Sequence, residues 1–198
     1  MKIIYLFVLS ILCAPVYAQR AGEYKALLND KITVNYPDYT VTAGVSNPKN
    51  NFIARPGKTY HWYSANRIRT TQGGFSGKLL DGNYTEYYLS KDLKEKGSFK
   101  NGLKHGEWLA WSADGKLKSR ERWRTGAKYG DYFVYDPAGK LLEQGTYRND
   151  KLNGKVRKYV ADSVVVTRYK NGKSFVPKNS VADFLKRVNP FRRAPKKK

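Results

Sequence analysis

Aromatic and apolar residues recur along this chain with a period of 24 residues: Tyr84, Trp108, Tyr132 and Val156 in one register, Tyr87, Trp111, Tyr135 and Tyr159 in the next. Leu93, Leu117 and Leu141 follow, then Phe99, Trp123 and Tyr147, and each unit opens on a glycine, Gly82, Gly106, Gly130 or Gly154. Between them polar and apolar residues alternate, the period of a strand with one covered face. Turn residues separate the strands. Asp114-Gly115-Lys116 and Ala138-Gly139-Lys140 lie inside units, while Asn101-Gly102, Thr125-Gly126 and Asn149-Asp150 lie between strands, all residue types suited to tight turns. Two strands of about six residues plus two turns fill such a period. The pattern predicts an all-β fold, an elongated array of stacked β-hairpin repeats.

The units fall near 58–81, 82–105, 106–129, 130–153 and 154–174, within an array spanning 58–177. The first is degenerate, with Lys58 in place of the glycine, and the last is shortened around Val164-Val165-Val166-Thr167, as a terminal cap of an array would be. Residues 19–57 read as an N-terminal β extension, with alternation over Lys31–Tyr36 and Tyr39–Ala43. A thin repeat sheet builds its core from its rings. Tyr84, Tyr87, Phe99, Trp108, Trp111, Trp123, Tyr132, Tyr135 and Tyr147 are therefore expected to be structural.

The stretch Gly106-Glu107-Trp108-Leu109-Ala110-Trp111, with Gly115-Lys116-Leu117 and Asn149 to Gly154, resembles the MORN-repeat variant carried by YwqK-type antitoxin proteins. That resemblance covers about residues 58–174. It implies a hairpin-repeat fold, a non-catalytic scaffold or a protein- and lipid-binding surface, and neutralisation of a toxin partner.

Residues 1–18 carry a different pattern. Lys2, the apolar run Ile3–Cys13 and the small residue Ala18 read as a secretory signal peptide cut before Gln19. The apolar run falls short of the roughly 20 residues a spanning helix needs. The protein is expected to be exported, to the periplasm, the envelope surface or the medium, with no transmembrane helix in the mature chain. The single Cys lies in that leader, and with His61 and His105 the only histidines, neither a disulfide framework nor a Cys/His metal centre is available. No cofactor is implied.

The chain has 38 Lys+Arg against 16 Asp+Glu, a net charge of +22. Alternation along one strand of the array puts Lys94, Lys96 and Lys100 on the side opposite Phe99, and along the next it aligns Lys118, Arg120, Arg122 and Arg124. These seven form a candidate basic binding face, weighed against simple solvation of an open sheet. The excess charge is concentrated beyond residue 154, where the net is +12. Residues 178–198 pair an amphipathic stretch, Val181, Phe184, Leu185 and Val188 beside Lys186 and Arg187, with the polybasic end Phe191-Arg192-Arg193-Ala194-Pro195-Lys196-Lys197-Lys198. A short basic helix or tail of this kind suits anionic lipid or an acidic envelope polymer. Nucleic acid would rank higher only without export.

No nucleophile elbow, phosphate loop or zinc-helix motif appears, so no catalytic residue is assigned. Glu95 and Glu143, at equivalent repeat positions, are expected to form structural ion pairs rather than an acid/base couple. The expectation is an exported, non-enzymatic repeat scaffold, with an unidentified protein partner on the array and an anionic envelope surface on the tail. Direct polyanion or lipid binding, and an antitoxin or immunity role, are the alternatives.

Overall fold

The repeated alternation folds into a single antiparallel sheet of 14 strands. The computed structural model describes residues 30–49 and 51–176; the leader and the tail at 178–198 lie outside them. The strands are β1 (Asp30–Asn35), β2 (Tyr39–Ser46), β3 (Thr59–Ser64), β4 (Arg67–Gln72), β5 (Lys78–Tyr88), β6 (Leu93–Lys100) and β7 (Leu103–Trp111). They continue as β8 (Leu117–Arg124), β9 (Ala127–Tyr135), β10 (Leu141–Arg148), β11 (Lys151–Leu152), β12 (Gly154–Val160), β13 (Ser163–Lys170) and β14 (Lys173–Phe175). From β5 onward the sheet follows chain order, with β11 pairing only β10. At its other end β1 and β2 complete the sheet, because β2 pairs β5 through contacts such as Val41 with Glu86.

The period has a backbone cause. Gly82, Gly106, Gly130 and Gly154 have φ of 91°, 73°, 86° and 100°, a left-handed region in which L side chains are strained. The ladder shifts register beside them, for example between Lys96 and Ser98 opposite Gly106. A second repeated device ties the units together. The N–H groups of Gly102, Gly126, Asp150 and Gly172 donate to the carbonyls of Leu80, Lys104, Lys128 and Leu152 at 2.7, 3.0, 3.1 and 2.9 Å. Those four acceptors are spaced by the same 24 residues.

The core sits at the β1–β9 end. One cluster gathers Val41, Ala43, Val45, Leu80, Phe99 and Trp108; a second gathers Tyr60, Trp62, Leu79 and Leu103. The β3–β4 hairpin leaves the main path, with β3 pairing the start of β5 at Trp62–Leu79. It packs against the face that carries Tyr84, Phe99 and Trp108, where Ile68 of β4 joins the first cluster. Burial fades along the array, with Val156 the last buried apolar side chain.

The rings divide between the two faces. Tyr84, Phe99, Trp108, Trp123, Tyr132 and Tyr147 share one, linked by ring contacts such as Phe99–Trp108 at 5.0 Å and Tyr132–Tyr147 at 4.8 Å. Tyr87, Trp111 and Tyr135 stand three residues further along the same strands, an odd offset that reverses the face. They are half-buried on the other side, so the aromatic repeat does not build a single ladder.

Candidate functional site

On the aromatic face, each ring row is interleaved with lysines. Lys104 Nζ lies 3.7 Å from the Trp108 ring centroid and 5.3 Å from that of Trp123. Lys128, one unit on, sits 5.5 Å from Trp123 and 5.3 Å from Tyr147. Lys94 lies 4.1 Å from Tyr39 and 5.7 Å from Tyr88. Such contacts stabilise by about 0.5–2 kcal/mol, more when the cation is desolvated. Each cation is also answered by a carboxylate: Lys94–Glu86 at 2.6 Å, Lys104–Glu95 at 3.1 Å, Lys128–Glu121 at 2.7 Å and Lys158–Glu143 at 3.1 Å. Glu95 and Glu143 are thus paired with lysines on neighbouring strands.

Burial and the Glu86 carboxylate push the Tyr84 phenol far above its ordinary range, and burial with the Glu143 hydrogen bond does the same to Tyr132. Both hydroxyls therefore act as donors, at 2.8 Å to Glu86 and 2.5 Å to Glu143. Burial, then the nearby Lys104 charge, lowers His61 to about 4. Its ring packs against Phe99 at 4.9 Å and faces Thr70 Oγ1 at 3.4 Å. A cavity of about 240 Å³ remains between the β3–β4 hairpin and this face, lined in part by His61, Tyr84, Phe99 and Trp108. Its principal rings already carry partners of their own.

The opposite face has a different electrostatic balance. Lys96, Leu109, Arg120, Phe133, Gln144, Arg157 and Val166 stand directly across from one another on successive strands. Arg120 bonds Glu107 at 2.7 Å and lies 5.4 Å from the Phe133 ring, and Arg124 lies 3.8 Å from the Tyr129 ring. Arg148, Lys155 and Arg168 share this face by alternation. Together with Lys96, Lys100, Arg122 and Arg157 they are exposed, and none of the seven enters an ion pair among the described residues. At the β1–β2–β5 end the basic face holds a polar groove of about 390 Å³, lined by Lys31, Thr42, Asn83, Thr85 and Tyr87 among others.

The structure brings Lys96, Lys100, Arg120, Arg122 and Arg124 together on this face, but not Lys94. The strand register jumps from Glu86–Glu95 to Tyr87–Leu93, leaving Lys94 as the extra residue of a bulge. One unmatched residue breaks the alternation beyond it, so Lys94 turns to Glu86 on the aromatic face. Lys118 is the equivalent residue of the next unit, skipped between Ser119 and Leu117, and is exposed. The tail residues Phe184, Lys186, Arg187, Phe191, Arg192, Arg193, Lys196, Lys197 and Lys198 lie outside the described residues. Sequence reasoning passed over Lys104 and Lys128, although their 24-residue spacing marked them as repeat positions.

Among the described residues no group of three or more His, Cys, Asp or Glu is placed to hold a metal ion, and no helix is long and apolar enough to cross a membrane. The hairpins, their glycines and their turns repeat over three consecutive segments in a form that a family model recognises. Residues 80–101, 104–124 and 128–149 match the MORN repeat variant. The MORN matches cover β6, β8 and β10 and most of β5, β7 and β9, the strands that carry the lysine-interleaved rings. No curated protein and no solved structure matches the chain. MORN repeats of this all-β form point to a repeat protein for protein or membrane interaction.

Proposed function

We propose that this chain is an exported, non-catalytic interaction scaffold, which binds an acidic protein partner through its basic face and an anionic envelope surface through its tail. One observation carries the reading. The strand carboxylates Glu86, Glu95, Glu121 and Glu143 are all spent on lysines of the aromatic face, while on the basic face, among the described residues, only Glu107 answers an arginine. Four exposed cations of β6–β10 there, Lys96, Lys100, Arg122 and Arg148, have no ion-pair partner among the described residues, so the face repels itself until an acidic surface meets it. The antitoxin-like alternative would use the same face, with an acidic toxin as the partner. Export rests on the leader pattern of residues 1–18.

The test is affinity capture by the chain from Gln19 onward, beside a variant with Lys96, Arg122, Arg124 and Arg148 changed to Gln. A stoichiometric protein that the parent retains, and that the variant and high salt release, supports the scaffold. Equal capture by both proteins sinks the assignment of the basic face.

A further inference from the structure

Six of the ten large apolar side chains that stand exposed among the described residues gather at one end of the sheet: Val160, Val164, Val165, Val166, Phe175 and Val176. The other four, Ile53, Leu89, Tyr129 and Leu142, are scattered. The end patch has an ordered chemistry. On the basic face of β12–β14, Arg157 stands opposite Val166 and Lys155 opposite Arg168; Arg168 then faces Phe175 and Lys170 faces Lys173. Val164, in line with Val166, stands opposite Tyr159. Three apolar side chains are thus set among five cations.

None of those cations is in an ion pair among the described residues, and the paired lysine of the same hairpin, Lys158, points to the other face. The one acid between Gly154 and Val176 is Asp162, in the turn beyond Val160. An acidic protein surface would answer the charge but gains little from exposed valines at a sheet end. A surface that offers anions at its rim and an apolar layer just beneath answers both, and an anionic lipid bilayer has that profile. The row of cations also repels a second copy of the chain from this end of the sheet.

We propose that β12–β14 docks on an anionic bilayer, with Val164, Val166 and Phe175 entering the headgroup boundary. Lys155, Arg157, Arg168, Lys170 and Lys173 meet the lipid phosphates around them. The inference deepens the envelope contact proposed above by placing it on the sheet itself, and it rests on that reading for the membrane being within reach. Val176 leads directly into the segment whose polybasic end was assigned to the same kind of surface.

The experiment is cosedimentation of the chain from Gln19 onward with phosphatidylcholine vesicles, with and without about 30% phosphatidylglycerol, at about 0.1 M salt. Three variants accompany it: Val164→Ser with Val166→Ser and Phe175→Ser; Arg157→Gln with Arg168→Gln and Lys170→Gln; and Gln at Arg192, Arg193, Lys196, Lys197 and Lys198. The altered hairpin side chains are exposed, and circular dichroism checks that the sheet persists. The apolar variant is expected to bind anionic vesicles roughly tenfold less tightly, and the cation variant about fivefold less per charge removed. Hairpin variants that bind like the parent, while the tail variant is released, would overturn the docking of β12–β14 and leave the tail contact standing. If the parent ignores anionic vesicles, or binds neutral ones equally, the hairpin proposal and the envelope contact both fall.

Discussion

The indole of Trp108 lies against the backbone of Gly97 so closely that a Cβ added there would overlap its Cδ2 and Cε2 atoms. Gly97 is thus a steric requirement of the ring beside it. The same relation recurs two units on, where a Cβ at Gly145 would come within 2.8 Å of Tyr132 Cε1 and 2.9 Å of Val156 Cγ2. Gly97→Ala is expected to destabilise the fold by about 2–3 kcal/mol, the upper part of the range for overpacked cores, and Gly145→Ala by less. Urea unfolding midpoints of the two variants against the parent measure both, and an unchanged midpoint for Gly97→Ala would contradict this packing.

Lys104 should behave as a core residue that happens to be charged. Its ammonium lies 3.7 Å from the Trp108 ring centroid and meets Glu95 at 3.1 Å. Lys104→Met keeps the stem but leaves Glu95 without its partner, an expected loss of about 1 kcal/mol. Lys104→Ala also uncovers the ring and should cost more. Chemical denaturation ranks the two; equal losses would mean that the charge alone matters.

His61 makes stability depend on pH in a defined direction. Its folded pKa, lowered to about 4, lies below the 6.5 of an unfolded histidine. Between those values the unfolded chain binds the extra proton, so stability is fully present above about pH 6.5 and is lost as pH falls toward 4. The expected slope is up to one proton. His61→Asn should flatten that part of the profile while leaving the contribution of the carboxylates. Unfolding free energies measured from pH 4.5 to 7.5 decide it, with an unchanged slope in His61→Asn as the contrary result.

Lys91 has φ of 71° at the turn position that Gly115 and Gly139 occupy in the next two units. An L side chain there carries a left-handed strain of about 1 kcal/mol. Lys91→Gly is therefore expected to raise stability by a similar amount, since the side chain is exposed. Thermal unfolding would show a higher midpoint, and a lower one would indicate that the lysine makes a contact worth more than the strain.

The array itself was legible in the sequence because its determinants are local. Gly82, Gly106 and Gly130 are set by their own φ, and the Asn-Gly and Thr-Gly turns by theirs. Two features were not legible. The strand that carries Lys94 obeys alternation only as far as Glu95, and nothing in the residues 93–95 announces the bulge that sends Lys94 to Glu86. The docking of β2 on β5 and the fold-over of β3–β4 depend on pairings between distant residues, such as Val41 with Glu86 and Trp62 with Leu79, which no short window contains. The same distance hid the separation of charge. Strand alternation places Glu95 and Glu121 beside basic residues, but only the side-chain ion pairs identify their partners as Lys104 and Lys128, which stand opposite Phe99 and Trp123.

The four turn amides that donate to Leu80, Lys104, Lys128 and Leu152 give the chain an unusual tolerance for growth. Each unit presents to its successor the same acceptor that it uses from its predecessor. A duplication of 24 residues, from Gly106 to Tyr129, would meet a ready-made joint on both sides, whereas an insertion that is not a whole number of units would miss it. The reach of the basic face is therefore a quantity that recombination can lengthen or shorten in whole steps, each about two strand widths, or roughly 10 Å, without a new fold having to be found.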